Sequence, residues 1–193
     1  MTKIMLKDGA SITITESDNP TDPREYDNLA VFCCFHNRYT LGDGRPTQLA
    51  RGIDAATPGE LRDLLAEPEK NGIVLALPLY MYDHSGIDVK TEGSPARYWQ
   101  HAGWDSGLVG FAIVTEECLK VMGRDNDPQA LRKSVIGEVE EWASYLRGER
   151  YDAMITYPDG GTDWFCDLEQ EDLLKYALEN WGYTEADVVS QED

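Results

Sequence analysis

The sequence predicts an α+β fold, with a mostly antiparallel sheet and two main amphipathic helices packed against it. Three observations carry this. Short β-rich runs are joined by tight-turn residues, as in Asp8-Gly9 and Pro158-Asp159-Gly160-Gly161. Leu131, Val135, Val139, Trp142 and Leu146 recur at helical spacing. Strands precede, interrupt and follow helices without the regular alternation of a parallel sheet.

Lys3 to Lys7 and Ala10 to Glu16 form the first expected hairpin, since Asp-Gly supplies the positive φ angles of a two-residue turn. Ser17 to Asn28 is dense in proline and turn formers and reads as an ordered loop. It leads into an apolar strand, Leu29 to His36, expected to be central. Thr40 to Thr57 has no periodicity. Thr57-Pro58-Gly59-Glu60 then offers a cap, a proline at the first helical position and a first-turn acid, giving a helix to about Glu67. Ile73 to Tyr82 is the most apolar run and has the length of a buried strand, with Pro78 marking a bulge or an edge. A polar and aromatic loop, Ser85 to Ser106, separates it from the strand Leu108 to Val114, which ends at the helix start Thr115-Glu116-Glu117. Asp127-Pro128 opens the long helix and Gly148 closes it. Tyr151 to Tyr157 and Thr162 to Cys166 make the second hairpin. A helix with Leu173, Leu174, Ala177, Leu178 and Trp181 facing inward follows. Residues 1–183 are expected to form one α+β domain around one core, and residues 184–193 an acidic frayed tail.

With 41% hydrophobic and 27% charged residues, the 193-residue chain has the composition of a folded domain. Its charge is unusual: 36 Asp and Glu against 17 Lys and Arg give −19. Binding a phosphate backbone directly needs clustered cations, so direct nucleic-acid binding is disfavoured and a basic partner favoured. From Pro158 onward there are eleven acidic residues and one basic residue, Lys175. Four scattered cysteines, without a CxxC pair, read as reduced thiols. The N-terminus lacks the apolar core of a signal peptide and no run is long enough to span a membrane, so a cytoplasmic location and no membrane partner are expected.

The densest polar string, Tyr80-Met81-Tyr82-Asp83-His84-Ser85-Gly86, falls where a strand emerges into a loop. Neighbouring strand residues face opposite sides, so Asp83, His84 and Ser85 do not make a relay by adjacency. If the strand ending there lies beside the one that begins after Asp105 and Ser106, the two loops converge and Asp83 or Asp105 holds His84 in a buried pair. Such a site could carry hydrolytic chemistry through His84, Asp83, Asp105 and Ser106. A metal would require His36, His84 and Asp83, with His101, Asp27, Asp105 or a cysteine as further candidates. No HxxxH or HExxH spacing organises them. A bland structural role is preferred for each, no cofactor is expected, and Cys33 and Cys34 read as small strand hydrophobes. Arg24, among carboxylates in Pro23 to Asn28, reads as a loop fastener. Glu138, Glu140 and Glu141 read as a solvated helix face.

Four blocks carry a resemblance: PREYDNLAVFCCFHNRYTLGDG at Pro23 to Gly44, LPLYMYDHSGI at Leu77 to Ile87, WDSGLVGFAIV at Trp104 to Val114, and GEVEEWASYLRGERYDAMI at Gly137 to Ile155. In this order they resemble an uncharacterised family of hypothetical proteins from phages, prophages and related mobile elements. Members of that family often carry a cysteine just before the WDSG-like block, where this chain has Tyr98, Trp99, Gln100 and His101. The resemblance implies a phage-type accessory role in the cytoplasm of an infected cell and carries no established activity. Combined with the charge, it gives the expectation of a non-enzymatic counter-defence inhibitor of the anti-CRISPR or antirestriction type. Such a protein would dock on a basic nucleic-acid-binding host protein or nucleoprotein complex, in one version by mimicking nucleic acid. Asp159, Asp163, Asp167, Glu169 and Asp172 are the expected partner-binding residues. The alternative is a small metal-dependent or His/Asp-based hydrolase.

Overall fold

The computed structural model describes residues 1–43, 53, 55–84, 86–92, 105–169 and 173–192. It bears out the α+β class, with every strand pairing antiparallel. The chain divides into two compact units, one built from residues 1–21 and 148–193 and the other from 22–147. Where one core was expected, the buried side chains form two clusters, one in each unit.

The terminal unit is a five-stranded sheet ordered β8-β7-β2-β1-β9, made from β1 (Thr2–Leu6), β2 (Ser11–Glu16), β7 (Arg150–Thr156), β8 (Thr162–Glu169) and β9 (Val188–Glu192). Both expected hairpins are present, and β2 pairs with β7 to join the two ends of the chain. Period-2 alternation turns Ile4, Leu6, Ile12, Ile14, Ala153 and Ile155 onto one face. There they pack with Leu173, Ala177 and Leu178 of the last helix (Leu173–Asn180). Residues 184–192 do not fray. After a short 3-10 turn (Glu185–Asp187), β9 adds to the outer edge of β1, from Lys3↔Glu192 to Leu6↔Val188.

The inserted unit is a four-stranded sheet ordered β3-β6-β4-β5, from β3 (Val31–Cys34), β4 (Ile73–Asp83), β5 (Ile87–Thr91) and β6 (Ser106–Thr115). The expected central strand β3 is therefore an edge. The central pair is β4 and β6, and all four β3 residues are nevertheless buried. Pro78 lies in this central strand opposite Phe111, one residue before the described pairing with β5 begins at Leu79↔Thr91, so among the described residues it needs no amide for that ladder. Among the described residues this unit has three helices, α1 (Pro58–Ala66), α2 (Glu116–Met122) and α3 (Pro128–Leu146), so the terminal unit's helix is α4. Thr57 and Glu60 close a capping box on α1, and Thr115 and Asp127 cap α2 and α3. Helix α3 packs on β5 and β4. It buries Leu131, Val135, Val139 and Trp142 as its periodicity predicts, and Trp142 meets Phe32 edge-on at 5.3 Å.

Candidate functional site

Antiparallel pairing of β4 with β6 brings the ends of two sequence motifs together, because Tyr82 stands opposite Ser106 and the strands reverse there. The end of β3 reaches the same margin, where the Phe35 amide donates to the Val109 carbonyl. His36, Arg38, Asp83, Asp105 and Ser106 thus line one cleft of about 220 Å³. A larger one of about 490 Å³, lined by Cys34, His36, Arg38, Tyr39 and Ala56 among others, adjoins it through His36 and Arg38. Three segments distant in sequence meet at this sheet margin.

Asp83 is the most protected carboxylate of the smaller cleft, its side chain 19% exposed, and it is bound by the Arg38 guanidinium. The Tyr39 hydroxyl donates to both its oxygens at 3.3 and 3.4 Å. His36 stacks on Tyr39 at 5.1 Å between centroids. His84 does not pair with Asp83. Its Nδ1 approaches Asp105 Oδ2 at 3.3 Å, with the two side chains 65% and 40% exposed. The loops converge as expected, but the pair is a surface pair and not a buried one. Ser106 lines the same cleft, and Ser85, Trp104 and His101 lie outside the described residues. Arg38 and Tyr39 were not anticipated, although the polar run His36-Asn37-Arg38-Tyr39 after an apolar strand carried the signal.

The metal alternative based on His36, His84 and Asp83 is not assembled. Among the described residues, no three His, Cys, Asp or Glu side chains come close enough to share an ion. Burial, followed by the nearby Asp43 and Cys118, pushes the Cys33 thiol up to about 12. Burial and then Cys33 push that of Cys34 up further. Neither supplies a thiolate near neutral pH.

The acidic candidates fall into different roles. Asp159 sits in the tip of the second hairpin, accepting from the Gly161 amide at 2.9 Å, and is exposed. Asp163 is also exposed, and accepts from the Trp164 amide and the Trp181 indole. Asp167 is structural: at φ +61° it forms the irregularity in β8, accepts from the Thr21 amide at 3.1 Å, and lies 3.4 Å from the Nε of buried Arg150. Glu169 ends β8, and Asp172 lies outside the described residues. Sixteen Asp and Glu against four Lys and Arg give residues 1–21 and 148–193 a net charge of −12, which leaves −7 for the inserted unit.

The carboxylate of Glu138 is not solvated. It accepts from the Leu29 and Ala30 amides at 2.7 and 3.2 Å and from Arg24 at 3.3 Å. Arg24 also holds Asp43 in a two-point bond at 2.7 and 2.9 Å, which fastens the loop before β3 as read from the sequence. No family model, curated protein or solved structure matches the chain. No helix among the described residues is long and apolar enough to cross a membrane.

Proposed function

We propose that this is a non-enzymatic accessory protein of the phage counter-defence kind, an anti-CRISPR or antirestriction inhibitor acting in the cytoplasm by docking on a basic nucleic-acid-binding protein or nucleoprotein complex. The observation that carries the reading is the net charge of −12 gathered on a terminal unit of 67 residues. A field of that sign raises the encounter rate with a cationic groove and repels nucleic acid from the protein itself. Asp159 and Asp163 of the expected contact set are exposed, while Asp167 bonds within the unit to the Thr21 amide and lies beside Arg150. The test is to isolate the partner from the infected host and measure association with Asp159→Lys/Asp163→Lys across a salt series. Association slowed about tenfold or more, with a flattened salt dependence, is expected. Association as fast as wild type and indifferent to salt would sink the proposal.

A second reading, a small His/Asp hydrolase, is favoured by one observation, the 3.3 Å approach of His84 to Asp105 beside the cleft that Ser106 lines. A carboxylate on Nδ1 leaves Nε2 free as a base. His84→Gln keeps a hydrogen-bonding group but exchanges no proton near neutral pH. A folded, partner-binding His84→Gln protein without biological activity would favour the hydrolase over the docking reading; full activity would remove it.

A further inference from the structure

The five-stranded sheet has one face turned to its core and helix α4, and a second face turned away. In the register of β7 with β8, Ala153 and Phe165 stand opposite each other on the core side, so Met154 and its partner Trp164 project from the other side. Both are open to solvent, Trp164 at 70% and Met154 at 42% exposed. Trp164 has no part in the aromatic cluster of the unit, in which Phe165 meets Trp181 at 4.9 Å and Tyr176 at 5.7 Å on the core side. Around Trp164 the open face is low and hydroxyl-rich, since Thr13 follows Met154 across the sheet and Ser11 and Thr156 pair in the next row; one strand further, Lys3 follows Thr13 and Met5 follows Ser11. A large indole standing on a bed of short hydroxyls beside a flexible thioether has the composition of an interface anchor.

We propose that this open face is the docking face, that Trp164 is its anchor, and that the partner lays an arginine-rich surface on it. The inference rests on the docking reading above and specifies its contact: of the two exposed carboxylates named there, Asp159 at the hairpin tip adjoins this face, whereas Asp163, paired with Ile155 and bonded to the Trp181 indole, belongs to the core side. Charge complementarity selects the occupant. The unit carries −12, with Asp159 at the adjacent hairpin tip; on the far edge strand Glu192 stands opposite Lys3, the one cation of the row that Trp164 begins, and offsets it. A second copy of the chain would bring the same charge and be repelled. Arginine rather than lysine fits the centre, because its planar and weakly hydrated guanidinium stacks on an indole, whereas an ammonium stays hydrated as a point charge. Docking here covers the aromatic anchor and leaves a polar rim.

The experiment uses the full chain with two labelled probes of equal length, an oligo-arginine and an oligo-lysine peptide, and reads affinity by fluorescence anisotropy over a salt series. The arginine peptide is expected to bind more tightly than the lysine peptide. Trp164→Ala is expected to weaken it about two- to fivefold and erase the preference, with Trp164→Phe between. Asp159→Lys/Glu192→Lys is expected to weaken both peptides alike. Since Trp164 is 70% exposed, its removal leaves the core intact, which an unchanged melting temperature checks. Equal affinity for the two peptides in the wild type, or an arginine preference that survives Trp164→Ala, overturns the Trp164 face and leaves the charge reading standing. Binding of both peptides that ignores salt and the charge reversals overturns the charge reading and this inference with it.

Discussion

A guanidinium whose side chain is 4% exposed has to be neutralised where it sits, and Arg24 meets two carboxylates, the Ala30 carbonyl and the face of Phe32, 3.6 Å from the ring centroid. Burial lowers its basicity, but Asp43 and Glu138 more than restore it. Burial also raises Glu138, against the bonds from Leu29, Arg24 and Ala30. Arg24→Ala strands both carboxylates and is expected to cost about 3–5 kcal/mol in denaturant unfolding, with Arg24→Lys between because it lacks the fork. A loss below about 1 kcal/mol would show that the network fastens nothing. His84 contrasts with it: the pair with Asp105 is exposed, so His84→Ala is expected to cost less than about 1 kcal/mol. At the other end of the chain, the Tyr183 hydroxyl donates to Asp8 Oδ2 at 2.6 Å. That bond, ahead of burial, pushes the Tyr183 phenol up to about 12, and together with the Ala10 amide it holds Asp8 below the usual 3.8. A raised phenol stabilises the fold below its unfolded value of 10.0, and that contribution is lost as pH rises through about 12. A lowered carboxyl stabilises above 3.8, and its contribution is lost as pH falls through its folded value. The bond therefore acts across the range between. Asp8→Asn is expected to return the Tyr183 titration, followed by phenolate absorbance, toward 10.0.

At the scale of elements, the legible features are those whose signal is local. The hairpin at Asp8-Gly9, the Thr57 capping box and the α3 stripe each appear where the sequence placed them, but the hairpin closes through the Leu6 amide to the Ala10 carbonyl, and of the expected pair only Gly9, at φ +91°, takes a positive φ. The positions of β3 and β9 were not legible. All four residues of β3 are buried, which reads as a central strand. Its pairing with β6 depends on Gly110, where a Cβ would lie 2.0 Å from the Cys33 carbonyl oxygen, while its edge position follows from the strand order and not from its own residues. Strand β9 buries none of its residues and is rich in polar groups, so it has no hydrophobic pattern to betray it, and its pairing is a matter of backbone bonds to β1. Ending the chain after Tyr183 is expected to leave β1 as a bare edge. Its amides facing β9 should then exchange roughly tenfold faster or more. Protection identical to that of the full chain would mean that β9 contributes no stability.

Over the whole molecule, charge and connectivity divide along the same line. The inserted unit begins and ends within one continuous stretch, 22–147, and its sheet, its core and the Arg24–Asp43–Glu138 network are all closed within those residues. The terminal unit needs both ends of the chain, since β2 and β7 pair across the insertion. The sequence concealed this because the proline-rich stretch around Thr21 reads as an ordinary loop leading into a strand, and the second junction, at Gly148, is no more distinctive. The second falls just past a helix end whose glycine is also an ordinary stop signal. It also concealed the site, because nothing local says that Arg38, Asp83 and Asp105 share a margin; that follows from the order β3-β6-β4. The division makes a prediction. Residues 22–147 expressed alone carry −7 instead of −19, retain a complete buried cluster, and are expected to fold with a cooperative thermal transition, keeping Trp142 buried beside Phe32. Residues 1–21 and 148–193 concentrate −12 on a small core of ten buried side chains, so the transition of this unit in the full chain is expected to be the one that salt raises more. Far-ultraviolet circular dichroism of the fragment and a melting series in salt of the full chain check both parts. A fragment that stays unfolded would show that the insertion draws its stability from the terminal unit, and a single transition insensitive to salt would show that the charge is not a cost carried by one unit.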